Sequence, residues 1–190
     1  MRLLLASASP RRAELLLAAG FRFDIAPADV DETRRPGETP RDYALRVARE
    51  KAEAAAAICR DSGTVVLGAD TVVVVDGEIL GKPGNAADAG RMLKRLSGAV
   101  HSVFTGVVLH KDGRQATDVV ETRVHLLPLS ETEITWYIGT TEPEGKAGAY
   151  AIQGRAARFI DWIDGSWSNV VGLPVATVYR LLKELGEMVS

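Results

Sequence analysis

Apolar and polar positions along the chain switch period repeatedly, and the switches predict strands and helices in alternation. Leu3-Leu4-Leu5-Ala6 reads as a short apolar strand that turns through Ser7, Ala8 and Ser9 into a helix from about Pro10 to Ala19, with Gly20 as its stop. Phe21 to Ala26 reads as a second short strand, and a polar loop follows from Asp29 to Glu38. In Thr39-Pro40-Arg41-Asp42 a cap, a first-turn proline and a first-turn acid open a long helix that runs to about Arg60. Thr64 to Val75 is apolar and β-branched, interrupted only by Gly68-Ala69-Asp70-Thr71, and Asp76-Gly77 turns it back into Glu78-Ile79-Leu80. A helix from about Ala86 to Leu96 comes next, then strands at Ser102 to His110 and Val119 to Leu127 joined through Lys111-Asp112-Gly113-Arg114.

Ser130-Glu131-Thr132-Glu133 is a capping box for a helix reaching Ile138. Beyond it lie a glycine-bearing loop (Gly139 to Gly154), a strand near Arg158 to Ile163, a turn at Asp164-Gly165-Ser166, and a last helix from Pro174 to Leu185 closed by Gly186. Helices interleave with strands and hairpins sit among the crossovers, so the expected class is α/β with a mixed sheet. Without an internal repeat, low-complexity tract or linker, residues 1–190 read as one domain.

Composition narrows this picture. At 190 residues, 46% hydrophobic, the chain can bury a full core as one domain, with or without two lobes. A net charge of −2 lacks the basic excess that drives non-specific nucleic-acid binding, so no nucleic-acid partner is expected. Cys59 has no cysteine to pair with in the chain and no Cys/His motif beside it, so it reads as a small buried or half-buried residue in a reducing compartment. The MRLLLA opening is too short for a signal-peptide core, and no stretch approaches a membrane span. A cytoplasmic location without membrane contact follows as the expectation.

Three segments carry candidate chemistry. Ser9 suits an N-cap and Pro10 the first helical position, which points free amides and the helix dipole toward an anion beside Arg11 and Arg12. The plain alternative is a capped helix that happens to begin with arginines. Asp70 sits inside an apolar strand, where an unpaired carboxylate costs several kcal/mol. It should therefore face a polar cleft, with Lys82, held between Gly81 and Pro83, as its partner or as a phosphate ligand. The alternative there is a structural Asp–Lys pair. Residues 144–154 are glycine-rich enough for close backbone approach and end in Gln153, an amide able to read a base edge, although an ordinary surface loop has the same composition.

Neither a Walker loop nor a GxGxxG fingerprint is present. His101, His110 and His125 match no zinc spacing, and Trp136, Trp162 and Trp167 read as core or rim aromatics, one of which could stack on a base. No Ser-His-Asp order is apparent. A metal, if used, would be a hard cation on Glu32, Asp70 or Asp31 together with substrate phosphates.

Taken together, LLLASASPRRAELL, DVDET, VAREKA, GADTVVVVDGEILGKP, EPEGKAGAYAIQG and GSWSNVVGLP resemble, in order and nearly end to end, the Maf family of nucleoside triphosphate pyrophosphatases. The resemblance implies an elongated mixed sheet with flanking helices, in two lobes around a nucleotide cleft and related to inosine triphosphatases. It also implies hydrolysis between the α and β phosphates, with a divalent cation (Mg²⁺, Mn²⁺ or Co²⁺). By position, Asp70 matches the family's general base and Glu32 a metal-holding acid, with Asp70 sharing the metal. Lys51 and Lys82 match lysines that meet the phosphate chain, Ser9, Arg11 and Arg12 the anion cradle, and Arg12, Thr71 and Gln153 the positions tied to base choice.

Their identities look like the branch acting on dTTP and UTP, with modified pyrimidine nucleotides as further candidates. The branch acting on 7-methylguanosine triphosphate carries a tryptophan in the first motif and Asp-Gln where this chain has Asp70-Thr71. House-cleaning of nucleotide pools is the implied role, and a homodimer is the expected assembly. The competing reading is a regulatory inhibitor of septum formation acting through a protein partner, which predicts an exposed apolar patch instead of a charged cleft.

Overall fold

Alternation along the strand Thr64–Val75 (β3) sorts its side chains onto two faces, and each face meets a different helix layer. Val65, Leu67 and Ala69 join Leu3 and Leu5 of β1 (Arg2–Leu5) in one buried cluster, closed by Leu16 of α1 (Pro10–Ala18) and by Val178, Leu181 and Leu182 of α6 (Val175–Glu184). On the other face Val66 packs with Ala55, and Val108 with Ala48 and Ala52 of α2 (Pro40–Ile58). That second contact is close. A Cβ at Gly68 would meet the Ala48 carbonyl oxygen and would come within 2.8 Å of the Ala52 Cβ, and one at Gly106 would press into the backbone of Ala44 and Leu45. Alanines on the helix and glycines on the strands let the backbones approach as no larger residues would.

The computed structural model describes residues 1–59 and 61–187. The remaining elements are β2 (Phe23–Ile25), β4 (Glu78–Leu80), β5 (Val100–Lys111), β6 (Arg114–Leu126), β7 (Ile160–Asp164), α3 (Ala86–Leu96), α4 (Glu131–Ile138) and α5 (Trp167–Val171). Seven strands make one mixed sheet in the order β2-β1-β3-β5-β6-β7, with β4 on β3. β1 runs parallel to β2 and β3, while β4 is antiparallel to β3 and β7 to β6. The fold is thus α/β with a mixed sheet, as the pattern of the sequence predicts. By contacts the chain divides into two compact units. The first is drawn from Met1–Thr71, Thr105–Val120 and the stretch from Gly172 onward; the second comprises Val72–Phe104 and Glu121–Val171.

Within the second unit α3 packs against α4 and against a short 3₁₀ turn at Ala147–Ala149, whose Gly148 N–H donates to the Gly81 carbonyl at 3.1 Å. Tyr137 and Phe159 meet edge to face at 5.9 Å. His101 is 2% exposed, with its Nε2 2.7 Å from the Tyr150 hydroxyl. Burial pushes its imidazole down to about 4, so it is neutral and belongs to the packing.

Several boundaries differ from the sequence expectations, each for a physical reason. The predicted end of the long helix near Arg60 lies outside the described residues; the helix itself stops at Ile58, with half-buried Cys59 as its C-cap. β6 begins at Arg114, five residues before the expected start, because pairing resumes directly after the Asp112-Gly113 turn, where both residues have positive φ. A 3₁₀ segment at Arg155–Phe159 delays β7 to Ile160, and α5 occupies residues to which the sequence pattern assigns no element. No helix among the described residues is long and apolar enough to cross a membrane.

The close approach of α2 to the sheet makes a direct prediction. Gly68→Ala should lower stability by about 1–3 kcal/mol through overpacking, whereas Gly84→Ala, where a Cβ meets nothing within 4 Å, should stay within about 0.5 kcal/mol. Urea unfolding of the two variants checks this; equal effects would remove the argument from close packing.

Candidate active site

Asp70 follows Val66 and Gly68 on the face of β3 that α2 covers. Because that helix lies so close, the four-carbon stem of Lys51, set between Ala48 and Ala52, delivers its ammonium to the buried carboxylate. Lys51 Nζ stands 2.7 Å from Asp70 Oδ1 and 2.6 Å from Glu32 Oε1. Asp70 is 7% exposed and Lys51 9%. Burial raises the Asp70 carboxyl above the ordinary carboxylate range, although Lys51 and Arg12 both pull it down. Two carboxylates thus meet at one ammonium, and the Arg12 guanidinium adds a second positive charge that acts on Asp70.

The acidic loop that carries Glu32 is held by side chains from one face of α2. Arg46 Nη1 donates to the Asp31 carbonyl at 3.5 Å, the Tyr43 hydroxyl to the Glu32 carbonyl at 2.7 Å, and Arg46 Nη2 to the Thr33 carbonyl at 3.0 Å. Arg46 is fixed in turn by Glu38 at 2.6 Å and Glu50 at 3.0 Å. Three successive loop carbonyls are thereby tied, which aims the Glu32 side chain at Lys51. Burial, with the charges of Asp70 and Glu32, pushes the Tyr43 hydroxyl up to about 12, so it stays protonated and keeps donating. Asp31, the third candidate metal oxygen, accepts the Thr33 N–H at 2.8 Å and is committed to the loop's own turn.

Ser9 holds the N-cap position of α1, and its carbonyl accepts the Ala13 N–H at 3.4 Å, but its hydroxyl makes no capping bond. The tie is made one step upstream, where the Ser7 hydroxyl accepts the Ser9 N–H at 3.2 Å. Arg12 is buried and spends three N–H groups on the protein: Nε on the Gly172 carbonyl at 2.8 Å, Nη1 on the Ser7 hydroxyl at 3.0 Å and Nη2 on the Thr71 hydroxyl at 3.1 Å. The Thr71 and Thr105 hydroxyls lie 2.9 Å apart. Arg11, half-buried on the first turn, is the more accessible guanidinium of the pair; burial lowers its pKa, as it does that of Arg12.

The sequence offered Lys82 as the cation for Asp70; that place is taken by Lys51, and Lys82 belongs to the second unit, exposed and directly after Gly81. Gln153 is also in the second unit, exposed in a turn that follows buried Ala151 and Ile152. Ser9, Arg11, Arg12, Glu32, Lys51, Asp70 and Thr71 all fall in the first unit. Among the described residues no three of His, Cys, Asp and Glu gather as a metal cage.

A family model described as Maf-like protein matches residues 2–185. The chain belongs to the Maf family. A protein of Anaeromyxobacter dehalogenans (strain 2CP-C) named dTTP/UTP pyrophosphatase is 53% identical over 189 residues, covering 97% of this chain and 94% of the relative. One from Shewanella oneidensis with the same name is 50% identical over 192 residues, covering 98% of this chain and 99% of its own. Among solved structures the Staphylococcus aureus Ham1 protein aligns over 97% of this chain and 100% of its own with a TM-score of 0.52 at 14% identity, a likeness of fold alone.

For this Maf-family chain, the residues that sequence reasoning missed are Tyr43 and Arg46. The available signal was their three-residue spacing on a helix that directly follows an acid-rich loop in need of cations.

The raised carboxyl of Asp70 generates a prediction on stability. Between the ordinary value of 3.8 and the raised folded value, the native state holds a proton that the unfolded chain has released. The contribution of this group therefore falls as pH climbs through that window and stays unfavourable above it. Asp70→Asn, which cannot ionise, should be as stable as the parent or more stable at pH 7, with the gain shrinking toward pH 4. Thermal melts at both pH values test this; a pH-independent loss would make Asp70 a structural ion-pair partner.

Proposed function

We propose that this chain hydrolyses dTTP and UTP between the α and β phosphates, releasing monophosphate and pyrophosphate and clearing those nucleotides, or modified pyrimidine relatives, from the pool. The observation that carries the reading is Asp70: a buried carboxylate, raised by burial, held at 2.7 Å by a buried ammonium in a chain whose relatives bear the name dTTP/UTP pyrophosphatase. A carboxyl in that state is suited to accept a proton from an attacking water, because its basicity is closer to working pH than that of a free carboxylate.

Phosphoryl chemistry asks a protein mainly for positioning and positive charge. Lys51 and Lys82 supply ammonium groups for the phosphate chain. Arg11 and the first-turn amides beside Ser9 supply the helix N-terminus, and Arg12 orders the same turn while fixing Thr71. A divalent cation fits the donor set: Glu32 and Asp70 present hard oxygens to a common point at Lys51, and with no cage of three such residues among the described residues the phosphates would complete the coordination. When bound, Mg²⁺, Mn²⁺ or Co²⁺ supplies positive charge against the phosphate chain. Gln153 carries both a donor and an acceptor, and a pyrimidine's imide-like edge presents their complements.

A panel of nucleoside triphosphates with Mg²⁺ or Mn²⁺, scored for pyrophosphate, is the direct test. Release of orthophosphate would mean that a different bond is cut, and no turnover on any nucleotide, with tight binding to a protein, would return the regulatory alternative. Asp70→Asn should lower turnover by about 10²- to 10⁴-fold with nucleotide binding largely retained. EDTA should abolish turnover without unfolding the protein; activity undiminished in chelator would remove the metal. Gln153→Ala should weaken dTTP and UTP turnover by about 1–3 kcal/mol in transition-state terms and weaken poor substrates less. An equal loss on every nucleotide would assign Gln153 to structure.

A further inference from the structure

The turn that carries Gln153 is tied on both sides to a pair of side chains that the proposed reaction does not use. Tyr137 on α4 is fully buried, and its hydroxyl donates to Glu142 Oε1 at 2.7 Å while accepting the Ala151 N–H at 3.1 Å. The Glu142 carboxylate also accepts the Arg155 N–H at 3.0 Å and the Ala156 N–H at 3.3 Å. Ala151 lies before Gln153, and Arg155 and Ala156 lie after it. Between them, a Cβ at Gly154 would fall on the Glu142 carboxylate, so a side chain there would have to displace that group from its donors. Glu142 is itself fixed, since its N–H donates to the Thr140 hydroxyl at 3.2 Å and that hydroxyl donates to the Tyr137 carbonyl at 2.7 Å.

We infer that Tyr137 and Glu142 are positioning residues for base recognition: together they set the backbone from which the exposed Gln153 amide projects. The inference rests on the base-reading role proposed above for Gln153. Hydrogen bonds to an ionised acceptor are about twice as strong as neutral ones, so a carboxylate fed by a phenol and two amides is a rigid anchor. Burial works against the charge, but the Arg155 and Ala156 amides and the Tyr137 hydroxyl hold Glu142 below the ordinary carboxylate range. Burial, then Glu142, raise the phenol, which therefore remains a donor at neutral pH. An ordinary surface turn has no need of a buried phenol bound to a carboxylate at its base. An amide that must meet one base edge and refuse others does, because preorganisation reduces the ordering cost of binding.

The test is a double-mutant cycle on the full chain. Tyr137→Phe and Glu142→Gln are each combined with Gln153→Ala, and kcat/KM is measured for dTTP and dATP beside inhibition by inorganic pyrophosphate, which carries no base. Each single variant should lose about 3- to 30-fold on dTTP, chiefly through KM, with a smaller loss on dATP and pyrophosphate inhibition within about twofold of the parent. Added to Gln153→Ala, either should cost almost nothing further. Losses that multiply in the cycle, or that fall equally on dTTP, dATP and pyrophosphate, overturn the inference in favour of a structural role. Should Tyr137→Phe not fold, Glu142→Gln, which keeps shape and volume, decides alone. If Gln153→Ala leaves discrimination intact, the base-reading role fails and this inference with it; if Gln153→Ala lowers discrimination and the other two do not, this inference alone fails.

Discussion

A carboxylate inside a strand has to be answered by a cation, and in this fold the answer depends on how near a helix can come to a sheet. The glycines at 68 and 106 and the alanines at 44, 48 and 52 remove the side chains that would hold α2 away from β3 and β5. Only then does Lys51 reach Asp70 while nine-tenths buried. Packing and chemistry are therefore one constraint: the spacing that closes this core face also makes the carboxylate usable. Lys51 extends that constraint to Glu32, and Tyr43 and Arg46 of the same helix hold the acidic loop so that the extension is met.

Arg12 serves the same neighbourhood by a different route. Its three protein bonds join the β1–α1 turn through Ser7, the strand through Thr71 and the segment before α6 through the Gly172 carbonyl. A guanidinium so engaged is a hub for ordering backbone and hydroxyls, and Thr71 is the immediate neighbour of Asp70. The arginine pair at the start of the helix thus divides its work, with Arg12 turned inward to order the site and Arg11 left on the accessible first turn.

How much of this was legible follows from the range of the forces involved. Caps and turns are local: Thr39 with Asp42, Ser130 with Glu133 and the Asp-Gly hairpins stand where the sequence places them, because each rests on contacts a few residues apart. Asp70 was legible from energetics alone, since nothing but chemistry or a partner excuses an acid in an apolar strand. Its partner was not. Lys51 lies nineteen residues away, and its reach depends on the depth of helix packing, which the hydrophobic pattern does not encode. Glu142 escaped notice for a related reason, since two of its donors are backbone amides and every residue carries those. α5 and the 3₁₀ segment before β7 are too short for periodicity to reveal.

A buried carboxylate and a half-buried one show how the kind of partner, more than burial itself, decides what an acid can do. Asp70 and Glu142 both lose water, and in both cases burial is the largest influence on the carboxyl. Around Asp70 the compensation comes mainly from charge, Lys51 and Arg12, opposed by the neighbouring Glu32, and burial prevails: the proton affinity rises. Around Glu142 it comes from two amides, a phenol and the milder attraction of Lys146, with no opposing acid among its leading influences, and the proton affinity falls. Backbone donors cannot move away or be shared with a ligand, whereas a lysine on a flexible stem can turn from a carboxylate to a phosphate. The first arrangement makes a permanent anion, suited to holding a turn in place. The second leaves an acid whose charge is contested and whose proton affinity lies above that of a free carboxylate.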